Sequence, residues 1–563
     1  MASGSPRTIN VTIKEHDATK TIKMLNGGNG SPRNLFPGYP ALKTSFSELG
    51  IFDIRTHDWF GVADIDSGMN PENVSQPIYS SKDKQKARQL FANIANKRQI
   101  LLNASKNEAP NWNYEATDLY IKEAQGVSDK VEILFRIGRS LGDGNRKPDP
   151  QAYSDWAKSV VKRYSTNYAS HGISRPVLYW EIWNEPDLAS FYDGTPSDFY
   201  TFYSTVAKAI KSVNPNIKVG GPGVANPVAD NKAFVDDFLD YCKKNKTPLD
   251  FYSWHHYCDG SSDPYDYYAI GQKISSLIQS KAPSGTRSFL TEWNITPTVT
   301  IGTTSAVQTM QTASFICSAL TYMQDASIDK SYFYRCDAMH LGLFNNDKKY
   351  TYASKAFIVF ENMRSTPYRL YTQSVGIPEG VPPRQDTLGY TCLAGTDKPL
   401  TQKGARKVQI LISNYTIDRD YVKSEKYQFP QYSISTGNDE LHIDKNYYGG
   451  KDPSNLHNTN DKSISSTPAN FPPGSLSLQE TNYKDNNGLV LNIQVPDTLG
   501  VKNYKATFSW LADGKPNISA DLNIKDLNTA IPPQSGKITN NLIQIQRPEV
   551  TEYVVLLVIL DLS

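Results

Sequence analysis

Two glutamates close aromatic, apolar runs in this 563-residue chain: Glu185 in LYWEIWNEP and Glu292 in RSFLTEWN. Each run begins apolar and turns polar at its last residues, the pattern of a strand buried along its length and open at its C-terminal end. Paired carboxylates suit displacement chemistry: one, kept neutral, protonates a leaving oxygen, and the other, kept ionised, attacks or stabilises the carbon. Pro186 follows Glu185 and ends the ladder because it has no N–H to give. Tyr179, Trp180 and Trp183 around Glu185 favour its neutral form, which makes it the expected acid and Glu292 the expected ionised partner. The competing reading is a pair of solvated strand ends, against which stands the matching position of the two carboxylates on their runs.

Other runs end in polar groups too. Arg55 and His57 in RTHDW share a face by strand alternation; the alternative for them is a structural ion pair at a rim. His255 and His256 are adjacent in SWHHY, so they point to opposite faces and cannot both reach one ion. No metal and no organic cofactor is expected.

These residues need elements to hold them. Between about residues 20 and 365, short apolar runs alternate with long amphipathic stretches: IKMLNGG, IFDIRTHDW, VEILFRIG, LYWEIWNEP, IKVGGPG, LDFYSWHHY, RSFLTEWN and SYFYRCD. Eight such runs describe an α/β fold, a closed (β/α)8 TIM barrel with functional groups at the C-terminal strand ends. Glu185 then ends the fourth strand and Glu292 the seventh, across the mouth from each other. In the helix after the fourth strand, Thr195 caps, Pro196 takes the first helical position and Asp198 completes a capping-box spacing. Phe199, Phe202, Tyr203, Val206, Ala207 and Ile210 recur at helical spacing until NPN stops the helix. Asp149 and Pro150 open another helix, in which Trp156, Val160 and Tyr164 share a face.

Beyond residue 365 the helical stretches give way to GYTCLAG, KVQILISNY, LVLNIQV, YKATFSWLADG and YVVLLVILDL, which predict a β-sandwich accessory domain over 366–563. The polar segment SNLHNTNDKSISSTPANFPPGS is read as a loop. In the N-terminal segment, 1–19, TINVTIK is expected as an edge strand of that second domain.

Composition narrows the partners. With 59 basic and 57 acidic side chains the net charge is +2, which gives no field for a polyanion, so no nucleic acid is expected. The longest apolar run, VVLLVILDL, is far short of the roughly 20 residues a bilayer span needs, so no membrane is expected either. The 34 tyrosines and 8 tryptophans suit sugar faces as well as a core. Cys242, Cys258, Cys317, Cys336 and Cys392 show no metal-ligand spacing and no disulfide framework. The opening MASGSPRTINV shows no basic flank before an apolar run. The compartment stays open: extracellular or periplasmic if a leader has been removed, cytoplasmic otherwise. Oligomeric state is not legible.

The stretches EIWNEPDLASFYDGTPSDFYTFYSTVAKAIKSVNPNIKVGGP and FLTEWN resemble glycoside hydrolase family 39, within the clan of barrel glycosidases that carry their acid/base and nucleophile on strands four and seven. The resemblance covers about residues 20–365. It implies a two-step retaining hydrolysis of plant or microbial oligosaccharides or polysaccharides, as in β-xylosidases and α-L-iduronidases. By the same resemblance Glu185 is the acid/base, Glu292 the nucleophile and Asn184 the partner of the sugar 2-hydroxyl. Arg55 and His57 resemble the basic pair near the nucleophile and terminal sugar. The H-x-Y pattern falls on His255 and Tyr257, with Tyr257 bonded to the nucleophile.

On strand eight the family's YWTFSD, whose tryptophan forms a sugar platform, is replaced by YFYRCD, which puts Phe333, Tyr334 and Arg335 there. Arg335 could fork onto the carboxylate of an anionic sugar or bridge Asp337, and the structural role is favoured. The expected function is exo-acting and β-xylosidase-like. The alternatives are α-L-iduronidase-like, arabinose-specific or endo-acting hydrolysis, transglycosylation, and a non-catalytic carbohydrate-binding barrel.

Overall fold

The computed structural model describes residues 7–16, 20–30, 32, 42–57, 115–137, 147–189, 191–225, 227, 234–257, 264–295, 300–301, 304–305, 310–336, 341–344, 349–374, 390–415, 432–434, 441–443, 488–511, 531–547, 550 and 553–563. Eight parallel strands close into a barrel: β2 (Gly27–Asn29), β3 (Asp53–Arg55), β4 (Glu132–Ile137), β5 (Tyr179–Ile182), β6 (Lys218–Val224), β7 (Phe251–Tyr257), β8 (Arg287–Asn294) and β9 (Lys330–Phe333). These are the eight runs read from the sequence. A helix follows each in turn: α1 (Lys43–Glu48), α2 (Glu115–Gln125), α3 (Pro150–Val161), α4 (Pro196–Val213), α5 (Phe234–Lys244), α6 (Asp266–Lys281), α7 (Met310–Tyr322) and α8 (Tyr352–Asn362). The ring closes where β9 pairs with β2, Tyr332 opposite Gly27 and Phe333 opposite Gly28. A Cβ at Gly27 would stand 2.5 Å from the Ser331 carbonyl oxygen, so only glycine permits that approach.

α4 forms as its local signals dictate. The Thr195 hydroxyl accepts from the Asp198 N–H at 3.2 Å while the Asp198 carboxylate accepts from the Thr195 N–H at 2.9 Å, and the predicted apolar stripe is buried. α3 opens at Pro150 and buries Trp156 and Val160.

Period-two alternation divides the barrel strands into two faces. Outward residues such as Phe135 and Trp180, stacked at 4.5 Å between ring centroids, meet the helices. Inward, Leu134, Phe251, Phe289 and Tyr332 form an apolar plug, with Phe251 and Phe289 stacked at 4.3 Å. Below the plug, at the N-terminal end, Lys330 pairs with Asp53 and with Glu132 at 2.7 Å. A cavity of about 170 Å3 beside them is lined by Phe52, Asp53, Lys130, Glu132 and Arg364. Lys330 bridges the two acids and Glu361 pairs with Arg364, which makes this end a structural closure. Above the plug the inward residues are polar, and the pocket begins.

Nine further strands are β1 (Arg7–Glu15), β10 (Tyr368–Ser374), β11 (Tyr390–Thr396), β12 (Arg406–Asn414), β13 (Leu489–Gln494), β14 (Asn503–Leu511), β15 (Gln534–Lys537), β16 (Leu542–Arg547) and β17 (Val555–Leu562). They make one nine-stranded sheet in the order β15-β14-β17-β12-β11-β10-β1-β13-β16. It curls around a core that includes Val11, Ile410, Leu491, Ile493, Phe508, Ile545 and Val558, a sandwich-like body built from a continuous sheet. β1 is interior, antiparallel to β10 and parallel to β13, which corrects the expectation of an edge strand. The loop read around residues 454–475 and the sequence run ending at Asp337 extend outside the described residues, as does Cys258. Cys242 and Cys317 are buried free thiols. Among the described residues no helix is long and apolar enough to cross a membrane.

Candidate active site

The polar pocket sits over the C-terminal ends of the barrel strands. β5 ends at Ile182, and the chain then turns through two left-handed conformations, Trp183 at φ 77° and Glu185 at φ 48°. Each costs of order 1–3 kcal/mol in a non-glycine residue and persists only where the surroundings enforce it. The enforcement is visible: the Trp183 N–H donates to the Ile137 carbonyl at 2.6 Å, and the Glu185 N–H donates to the Gly223 carbonyl at 2.9 Å. The result aims Glu185 into the pocket and sends Trp183 outward, to edge contacts with Tyr192 and Phe202 at 5.8 and 5.4 Å. Trp180 likewise packs on the helix side. These indoles are core, a correction to the expectation that they surround the Glu185 carboxyl.

Irregular register at Pro222/Val224, Trp254/His255 and Ser331/Phe333 re-aims side chains around the mouth, a common use of bulges next to sites. His255 and Tyr257 point inward. His256 points away, its Nε2 3.4 Å from Asp266 Oδ2, so the two adjacent histidines do sit on opposite faces.

Glu292 is the most heavily held group. Its Oε1 accepts from Arg55 Nη1 at 2.8 Å and lies 2.9 Å from His57 Nε2, while its Oε2 accepts from the Tyr257 hydroxyl at 2.6 Å. Burial alone would raise its proton affinity; His255, His57 and Arg55 outweigh it and hold the carboxyl well below the usual carboxylate range. Among the described residues Glu185 has one such contact, His255 Nδ1 at 2.9 Å from Oε1. Burial pushes its carboxyl up, against the pull of His255 and with help from the charge of Glu292. Its side chain is 15% exposed and that of Glu292 6%, so Glu185 is the carboxylate that water reaches more readily. His255 stands between them, with Nε2 3.6 Å from Glu292 Oε1.

Donor atoms of Glu185, His255 and Glu292 lie within 4.8 Å of one another, close enough to consider a cation. Arg55 already supplies positive charge to Glu292, and a divalent ion would have to compete with it for the same oxygen. Asn184 is fixed through its Oδ1, which accepts from Arg55 Nη2 at 2.8 Å.

Phe333 does not line the pocket. It is fully buried, 5.0 Å from Trp293 and 5.5 Å from Phe357 between centroids, on the helix side. Tyr334 takes the inward place, its ring 5.1 Å from His57 and 6.1 Å from Tyr257. The guanidinium carbon of Arg335 lies 5.9 Å from the Tyr334 ring centre, beside the pocket. Two buried residues were absent from the sequence expectation. Asn29 accepts from Arg55 Nη1 at 3.0 Å, and Glu181 accepts from Arg55 Nε at 2.6 Å. The available signal for Glu181 was its charge in mid-strand, on the face shared with Tyr179.

The fold is similar to that of solved barrel glycosidases, and part of the sequence is similar to a glycosidase family. Residues 142–300, the stretch carrying Glu185, His255, Tyr257 and Glu292, match the family model described as Glycosyl hydrolases family 39, which shows over that stretch the resemblance read from the sequence. A beta-xylosidase of Geobacillus stearothermophilus is 33% identical over 130 residues, 22% of this chain and 25% of that relative. A beta-xylosidase of Caldicellulosiruptor saccharolyticus is 29% identical over 173 residues, 27% of this chain and 33% of the relative. The chain thus spans a quarter to a third of the length of these curated relatives. Among solved structures, a glucosidase from Croceicoccus marinus superposes with TM-score 0.65 at 22% identity, covering 99% of both chains. The GH39 enzyme from Xanthomonas axonopodis pv. citri gives 0.58 at 14% identity over 100% of this chain and 98% of its own. At such identities the superpositions speak for the fold.

Proposed function

We propose that the chain is a retaining glycosidase, exo-acting and β-xylosidase-like. The observation that carries this is the pairing of Glu185 and Glu292 in one pocket, one oxygen of each within 4.8 Å of the other, with proton affinities pushed in opposite directions. Retaining glycosidases hold their carboxyls about 5–5.5 Å apart, and inverting ones need roughly 6.5–9.5 Å to admit a water.

In the first step Glu185 gives its proton to the glycosidic oxygen as the bond from that oxygen to the anomeric carbon breaks. An oxygen of Glu292 forms the new bond to that carbon. In the second step the ionised Glu185 takes a proton from water, and the resulting hydroxyl displaces Glu292 to release the sugar. Asn184, its amide oxygen anchored by Arg55, presents its N–H groups to the 2-hydroxyl, and Tyr334 offers a ring to the sugar face. The names of the two beta-xylosidases similar to this chain support xylose as the sugar.

A panel of aryl glycosides tests the reading. Glu292→Gly is expected to lose activity by at least about 10³-fold on the sugar that wild type cleaves, with azide restoring turnover as an inverted glycosyl azide. Activity that survives the substitution, or azide that fails to rescue it, overturns the assignment.

A further inference from the structure

We propose that Glu181, a fully buried carboxylate with no exposed surface, is a positioning residue that sets the reactivity of Glu292 through Arg55; this rests on the reading of Glu292 as nucleophile.

Arg55 is the hub of the pocket floor. Its Nε donates to Glu181 at 2.6 Å, Nη1 to Glu292 at 2.8 Å and to Asn29 at 3.0 Å, and Nη2 to Asn184 at 2.8 Å. Arg55, Glu181 and Asn29 have no exposure, and Asn184 has 1%. A guanidinium is planar, so anchoring Nε fixes the plane in which both terminal nitrogens lie. Glu181 therefore decides whether Arg55 meets Glu292 and Asn184 at the same time.

Charge gives the second half of the argument. A buried Arg55 with Glu292 as its only counter-ion would hold that carboxylate ionised but too well stabilised to attack carbon. By sharing the Arg55 guanidinium, Glu181 weakens its hold on Glu292 beneath the sugar, where positive charge develops in the transition state. Burial tends to strip the proton from Arg55; Glu181 and then Glu292 overcome it and keep the cation. The groups facing Glu181 are Arg55 from β3, Arg136 beside it in register on β4 and His255 from β7, and its charge also reaches the buried phenols of Tyr203 and Tyr332. Those facing Glu292 are Arg55, His57, His255, Tyr257 and Glu185.

Glu181 is poorly suited to a purely structural part. Its Oε1 is buried with no hydrogen-bond donor among the described residues, a cost that packing alone would not retain. The space around it depends on Gly223, where a Cβ would stand 3.3 Å from that oxygen and 3.0 Å from His255 Nε2.

The test measures formation of the glycosyl-enzyme from an activated 2-deoxy-2-fluoro glycoside, together with the pH profile of kcat/KM. In folded Glu181→Gln the inactivation rate constant is expected to fall about tenfold with the inhibition constant unchanged, and the acidic limb to move down by about one pH unit. Glu181→Asp keeps the charge and withdraws it by one methylene, so kcat falls while the limb moves by less than half as much. A Gln variant whose rate lies within twofold of wild type with a superimposed profile overturns the proposal. Where Gln does not fold, an unchanged kcat in folded Glu181→Asp does the same. Glu292→Gln run in parallel separates the two failures: if it stays active the nucleophile reading is wrong, and if it is inactive while Glu181 variants behave as wild type, only the role of Glu181 is wrong.

Discussion

Among the described residues Glu292 meets three donors and Glu185 meets one histidine, and that asymmetry predicts how activity should follow pH. Glu292 is depressed, so it stays ionised down to pH values below the ordinary glutamate pKa of about 4.3 and fails only as pH falls further. Glu185 is raised, so the proton it must give persists above that value and is lost as pH climbs. The profile of kcat/KM is therefore expected to be a bell whose two limbs straddle the usual carboxylate range. Burial, then the charge of Glu292, keeps the Tyr257 phenol protonated and donating. Tyr257→Phe removes a hydrogen bond to a charged group, worth about 1.5–3 kcal/mol. The expected loss in kcat/KM is roughly 10- to 100-fold, with the acidic limb moved up because the ionised form of Glu292 has lost a partner. A limb that stays put would show that the phenol does not tune the carboxylate.

At the scale of elements, α4 stands directly after the strand that delivers Glu185, so its start fixes the far end of that loop. Thr195→Ala removes the cap from the N-terminus and is expected to cost about 1 kcal/mol, read from the urea midpoint, with kcat little changed. Lys147 first, and then the Thr195 contacts, draw the Asp198 carboxyl down to about 2. A depressed acid stabilises the fold above its unfolded pKa and loses that contribution as pH falls, so the cap should weaken between about pH 4 and pH 2. The α4 start was legible in the sequence because the reciprocal Thr195 and Asp198 capping contacts lie within four residues of each other. The end of β5 was not legible, since the left-handed turns at Trp183 and Glu185 are imposed by carbonyls of Ile137 and Gly223 on neighbouring strands. Phe333 was misplaced because the expectation put three consecutive residues in one pocket, whereas alternation turns Tyr332 and Tyr334 inward and Phe333 out.

In the whole molecule the barrel and the curled sheet share a core. Leu393, Leu411, Val555 and Leu557 of the sheet join the barrel's apolar cluster, and α7 between them is buried on all sides. Polar contacts cross the same seam: the Ser413 hydroxyl donates to the Ser314 carbonyl at 2.8 Å, and Ser318 bonds Thr391 at 3.1 Å. β1 ties the beginning of the chain into the middle of the sheet. We therefore propose that the parts 20–365 and 366–563 fold as one cooperative unit. Calorimetry should give a single unfolding transition, and a chain cut after residue 365 should be insoluble, with the sheet-facing side of α7 uncovered. Two resolved transitions, or a soluble active barrel, would argue for independent domains.

The sequence by itself determined the parallel barrel, the helix starts and the carboxylates at the ends of the fourth and seventh strands, because strand and helix periodicity and capping act over a few neighbouring residues. Tertiary structure alone decided which polar groups converge. Arg55, Glu181, Asn184 and Glu292 come from three strand regions and meet around one guanidinium. Closure of a ring brings them together, and bulges and left-handed turns aim them; no spacing along the chain encodes either. The opposite proton affinities of Glu185 and Glu292 belong to the same level, since burial and the charges of distant residues act through space.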